Sequence, residues 1–204
     1  MPRRQLQFRA GRYCAMRAME ALDRRFAGCQ VRRGANGAPL WPETLTGSIT
    51  HTDDFVSAAV ARTTDTMALG IDTERIMSEP QARQVRDLLA WPHEVACASD
   101  AGMSPLEALT LVFSAKESIF KCLHPMTGQF FDFHDVLVDG VDGRAHTFAA
   151  RLVRPLSQRL PARTQLLGRF QMEAPWVHTA MSLPSDHDGS NYHRALLDTT
   201  PEFT

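Results

Sequence analysis

Residues 104–125, "SPLEALTLVFSAKESIFKCLHP", constrain this chain more than any other stretch. Ser104 can cap a helix, Pro105 suits the first helical position, and Glu107 completes a capping box. The helix is expected to end at His124-Pro125, because the residue before proline avoids helical backbone. Leu109, Val112, Phe113, Ile119, Phe120 and Leu123 recur as an apolar stripe that must face a core. Lys116 falls inside that stripe, with Glu117 beside it and Lys121 one helical turn beyond Glu117. A buried charge costs several kcal/mol unless it is paired or bound to a metal or ligand. Taken alone, the helix also admits a plainer reading, in which Lys116 snorkels and Glu117–Lys121 is an ordinary i,i+4 pair.

"GIDTERI" carries the second signal. On an extended chain Asp72 and Glu74 point to one face and Thr73 to the other. Two carboxylates on one face repel unless a cation lies between them, and hard oxygen ligands suit Mg²⁺. The plainer reading here is a strand end running into a solvated loop, with Arg75 as a surface partner. Together the two stretches suggest Asp72, Glu74 and Glu117 as a three-carboxylate magnesium site with Lys116 and Lys121 beside it. That donor set belongs to phosphate chemistry.

The remaining chain is read as α+β. Residues 9–27 look helical, with Phe8, Ala15, Met19, Leu22 and Phe26 on one face and Arg12 close to it. Residues 32–47 read as a Gly/Pro loop, and 55–62 and 67–72 as strands joined by a turn. Ser78 and Pro92 mark the starts of two short helices. After residue 125 come four strand-like runs, beginning near 135, 145, 166 and 176, and then a tail that looks loose. "WVHTAMSL" faintly echoes "FVSAAVAR". With a joint at residues 99–103, the reading is two similar α+β halves, 1–100 and 101–204, about a pseudo-twofold axis.

A net charge of −1 gives no overall reason to expect nucleic acid. Residues 1–40, however, hold nine arginines against Glu20 and Asp23. That excess is either a solvated basic face or an attractor for an anionic ligand. No apolar run is long enough for a membrane span or a secretory signal. Four cysteines without a CxxC pair read as reduced thiols in a cytoplasmic protein.

These residues resemble the Sfp-type 4′-phosphopantetheinyl transferases, particularly the branch of the enterobactin synthetase D component. The pattern G-[IV]-D-x-E stands here as Gly70 to Glu74. The pattern [FW]-[SA]-x-K-E-[SA]-x-x-K stands as Phe113 to Lys121. A G-R-x-C-A element lies at Gly11 to Ala15, and G-x-P-x-W-P-x-x-x-x-G-S-[IL]-[ST]-H runs from Gly37 to His51. The four motifs are collinear over residues 8–133.

The resemblance implies a monomeric enzyme that moves the phosphopantetheine arm of coenzyme A onto a serine of an acyl or peptidyl carrier protein, releasing 3′,5′-ADP. Mg²⁺ would be held by Asp72, Glu74 and Glu117. Glu117 would also take the serine proton, directly or through a metal-bound water. Lys121 would neutralise phosphate charge and Lys116 would face the phosphates. Thr50 and His51 match a pair that contacts coenzyme A phosphates, and Arg12 is assigned to the 3′-phosphate or adenosine end. Many relatives carry Lys where this chain has Ala38, which leaves Arg33 or Arg32 to meet the 3′-phosphate. Phe113 stands where some relatives have Trp, and Thr73 where Ile is common. Two rival readings are a metal-dependent nuclease, which usually places E-x-K on a strand, and a non-catalytic carrier-binding module. The pathway served, whether siderophore, polyketide, nonribosomal peptide or fatty acid, is not written in the residues.

Overall fold

The computed structural model describes residues 3–34 and 37–185. The tail from residue 186 lies outside them. Helix α1 (Arg3–Leu22) packs on a hairpin of β3 (Leu45–His51) and β4 (Val56–Arg62). Before that hairpin, β1 (Arg32–Arg33) and β2 (Pro39–Leu40) form a two-residue ladder. Strand β5 (Thr66–Arg75) leads into α2 (Glu79–Leu89), α3 (Pro92–Asp100) and α4 (Pro105–Thr127). Strands β6 (Val136–Asp142), β7 (Thr147–Leu152), β8 (Gln165–Glu173) and β9 (Trp176–Pro184) complete the chain. The fold is α+β, with an antiparallel five-stranded sheet ordered β5-β9-β8-β7-β6 and α4 lying on β5 and β9. Among the described residues no helix is long and apolar enough to cross a membrane.

Several local expectations change. The first helix begins earlier than residues 9–27, at Arg3, and ends earlier, at Leu22, where Asp23 caps a following 3-10 turn by accepting from the Arg25 N–H. Phe8 leaves the core and is 41% exposed, while Ala15 and Met19 are buried. Residues 32–47 contain β1, β2 and the start of β3. Strand β3 evades a hydrophobic pattern because Ser48 and Thr50 are two of its buried positions. The strands on either side of the turn at 63–65 do not pair. β4 pairs with β3, whereas β5 crosses to β9.

Helix α4 starts as expected, with Ser104 Oγ accepting from the Glu107 N–H and Glu107 accepting from the Ser104 N–H. It runs past Pro125 to Thr127 and stops at Gly128, whose φ of 63° supplies a left-handed cap. The Gly128 N–H closes on the His124 carbonyl, so the last turn is completed despite the proline.

The seam between β3 and β5 is made by side chains. The Ile71 N–H donates to Ser48 Oγ and the Thr73 N–H donates to Thr50 Oγ1. Two hydroxyls thus satisfy backbone donors on the edge of β5 that β9 does not cover. On the face of β5 that meets α4, Gly70 permits contact without a side chain. A Cβ there would meet the Ser118 carbonyl at 2.0 Å and the Cys122 amide nitrogen at 2.5 Å. This close approach sets the distance between the two motifs.

Candidate active site

Asp72 lies two residues beyond Gly70, so the contact with α4 places it against that helix. It is 3% exposed. Lys121 Nζ donates to Oδ1 at 2.6 Å, Thr50 Oγ1 donates to Oδ1 at 3.3 Å, and Ser114 Oγ donates to Oδ2 at 2.8 Å. Ser114 is anchored in turn from β9, where Thr179 Oγ1 donates to its carbonyl. Ser114 and Lys121 stand two helical turns apart, on one face of α4.

Glu74 and Glu117 complete the acidic group. Burial above all, and then repulsion from Asp72, push the Glu74 carboxyl up from 4.5 to about 8; Lys121 opposes the rise and Glu117 adds to it. Burial also holds Glu117 above its ordinary value, with Lys121 pulling down and Asp72 pushing up. The three carboxylates therefore act on one another, with Lys121 as the opposing charge. Among the described residues no three acid, histidine or cysteine side chains already stand as a ligand set. The donor chemistry nevertheless suits a hard divalent cation, since mutually repelling carboxylates in a partly dry site are relieved by one.

Two expected phosphate contacts are placed otherwise. Lys116 points away from the acidic group, and its side chain is 1% exposed. Its ammonium donates to Glu94 Oε2 at 2.8 Å and to the Leu89 carbonyl at 3.0 Å. Glu94 also accepts from the N–H groups of Trp91 and Val138. The buried charge in the apolar stripe is thus answered by a buried partner and is not open to a phosphate. Thr50, only 1% exposed, directs its hydroxyl to Asp72 and receives the Thr73 N–H, so it orients a carboxylate.

His51 follows Thr50 and lines a cleft of about 740 Å³ together with Phe8, Gly11, Arg12 and Arg33. The cleft and the acidic group are joined through this pair of adjacent residues on β3. Among the described residues, Nε and Nη2 of Arg12 are buried without a hydrogen-bond partner. Burial, and then the charge of Arg33, hold the Arg12 guanidinium below its ordinary value. Arg33 is in the cleft, whereas Arg32 is not among the residues that line it.

Two family models match the chain. Residues 1–61 match the 4′-phosphopantetheinyl transferase N-terminal domain, and residues 68–171 match the 4′-phosphopantetheinyl transferase superfamily. The chain belongs to that superfamily. It is 37% identical over 155 residues to 4′-phosphopantetheinyl transferase Svp of Streptomyces mobaraensis, covering 76% of this chain and 62% of that one. It is 30% identical to 4′-phosphopantetheinyl transferase Npt of Nocardia iowensis, over 88% of this chain and 82% of that one. It is also 35% identical to enterobactin synthase component D of Escherichia coli K12, over 63% and 59% of the two chains. The aligned part thus spans less than two thirds of Svp and of enterobactin synthase component D. The boundary between the two matched models falls at the turn between β4 and β5, where the chain leaves the α1 hairpin and enters the larger sheet. Glu117 and Lys121 lie on a capped helix, unlike the strand-borne pair of the nuclease reading.

The sequence pattern assigns no site role to Ser114 or Glu94 and places Phe8 in the core, whereas the structure leaves it exposed. Ser114 was signalled by its seven-residue spacing from Lys121. Glu94 and Phe8 carried no such signal, since their roles depend on tertiary neighbours.

Proposed function

We propose that this protein transfers the 4′-phosphopantetheine arm of coenzyme A to a serine of an acyl or peptidyl carrier protein. The observation that carries the reading is the junction at Thr50-His51. There the acidic group of Asp72, Glu74 and Glu117, with Lys121 as its opposing charge, adjoins a cleft holding the two buried, unpartnered nitrogens of Arg12. Residues 1–100 supply the cleft and the strand carboxylates, and residues 101–204 supply α4. One chain provides both, which supports a monomeric enzyme. Its four cysteines are free thiols, the state a cytoplasmic compartment maintains.

The residues divide the work as follows. Arg12, Arg33 and His51 hold the nucleotide end of coenzyme A through charge-assisted contacts. Asp72, Glu74 and Glu117 are the residues that would hold Mg²⁺, which when bound neutralises phosphate oxygens. Thr50 and Ser114 keep Asp72 in one orientation. Glu117 accepts the proton from the carrier serine hydroxyl. Lys121 Nζ offsets charge on the phosphate that departs with 3′,5′-ADP. The electron pair of the serine oxygen forms the new P–O bond, and the pyrophosphate P–O bond breaks.

The test is to incubate the protein with apo-carrier protein, coenzyme A and Mg²⁺ and to weigh the carrier by mass spectrometry. A phosphopantetheine adduct on the serine is expected. An unchanged carrier across acyl and peptidyl types would overturn the reading.

A further inference from the structure

We infer that Phe8 is a positioning residue that gathers the guanidiniums of Arg12 and Arg33 into a subsite selective for a phosphomonoester dianion, the 3′-phosphate end of the nucleotide. The inference rests on the coenzyme A reading above.

Phe8 is an aromatic ring on α1 that stays 41% exposed and joins neither core cluster. The Arg12 guanidinium carbon lies 4.8 Å from the ring centre, and that of Arg33 lies 5.8 Å from it. The negative face of an aromatic ring attracts both cations. It can thereby hold two like charges near each other that would otherwise separate. That juxtaposition is electrostatically unfavourable until an anion arrives, as the lowering of Arg12 by burial and Arg33 reflects. The orphaned Nε and Nη2 of Arg12 are the donors such an anion would meet.

The loop at Gly37 lies against Arg33. Gly37 has a φ of 84°, and a Cβ there would lie 3.5 Å from Arg33 Nη2. Arg33 pairs with Pro39 in the β1–β2 ladder, so its guanidinium comes from across the hairpin to the neighbourhood of Ala38. Two planar, forked guanidiniums with His51 nearby match the three terminal oxygens of a phosphomonoester. A phosphodiester presents two such oxygens and one charge, and satisfies the pair less well.

The experiment is calorimetric binding of adenosine 3′,5′-bisphosphate and adenosine 5′-monophosphate to the full chain. These nucleotides differ by the 3′-phosphate alone. Wild type should prefer the bisphosphate by about ten-fold or more, the return expected from a charge-assisted contact. Phe8→Leu and Arg33→Ala should reduce that preference to about three-fold or less, while Phe8→Tyr, which keeps the ring, should retain it. A purely structural role for Phe8 would change both affinities in parallel and leave the ratio intact, which overturns the inference. Wild type that binds the two nucleotides equally overturns the subsite and leaves the coenzyme A reading standing. Wild type that binds neither overturns both.

Discussion

Helix α4 carries two lysine–carboxylate pairs, and they do different things. Lys116–Glu94 is fully buried and its further partners are internal: the ammonium also donates to the Leu89 carbonyl, and the carboxylate accepts from the N–H groups of Trp91 and Val138. Lys121–Asp72 opens toward solvent on the lysine side, which is 28% exposed. It also sits among two further carboxylates whose protons are held more tightly than usual. The first pair is balanced and joins α3, α4 and β6. The second is unbalanced toward negative charge and adjoins a positively charged cleft. Charge imbalance, more than the presence of charge, distinguishes the candidate site from a structural brace in this helix.

The strongest way to break the comparison is to remove the centre of the unbalanced group. Asp72→Ala should bring transfer to background, since it deletes the carboxylate on which Lys121, Thr50 and Ser114 converge. Normal adduct formation by this variant in the mass assay would contradict the account. Glu117→Gln keeps shape but loses basicity, so turnover should fall about 10²-fold or more, in the range general bases contribute. If raising pH or Mg²⁺ restores it fully, Glu117 is a ligand and not the base.

The balanced pair should respond in stability. Lys116→Ala strands the Glu94 charge and should cost about 3–5 kcal/mol, read as a lower midpoint in urea unfolding. Glu94→Ala should cost more, because it strands the ammonium and two backbone donors together. A Lys116→Ala protein as stable as wild type would show that the pair is not a brace. A smaller effect is expected at Ser114→Ala. It takes one neutral donor from Asp72 and should cost turnover about ten-fold, as outer partners of a metal ligand usually do. A change confined to stability would place Ser114 outside the site.

Much of this contrast was legible in the residues, but unevenly. The cap at Ser104, the shared face of Asp72 and Glu74, and the presence of Lys116 inside the apolar stripe were all readable from spacing. The expectation that set Lys116 beside Lys121 at the phosphates goes against the helix geometry. Five residues of helix turn it roughly 140° away from Lys121, so the two cannot serve one site equally. What answers Lys116 was hidden, because Glu94 lies on another helix. Strand β3 was hidden for a different reason. Its buried Ser48 and Thr50 bond to the β5 backbone, so polarity there marks an interior seam. Phe8 looked like a core residue by period and proved exposed beside two arginines.

The most direct test is the melting temperature of the protein against pH, with and without Mg²⁺. Glu74 has its folded pKa raised from 4.5 to about 8, so the metal-free fold binds more protons than the unfolded chain across that window. Its contribution to stability is present below about pH 4.5 and is lost as pH rises toward 8. Mg²⁺ favours the ionised carboxylates and should recover the lost stability at the alkaline end. The account predicts that wild type melts lower at pH 8 than at pH 5 without Mg²⁺, and that Mg²⁺ narrows the gap. Lys116→Ala should start from a lower melting temperature but keep the same response to Mg²⁺, whereas Asp72→Ala should lose it. An equal Mg²⁺ response in Asp72→Ala and wild type, or none in wild type, would contradict the claim that the unbalanced end of α4 is a metal and phosphate site.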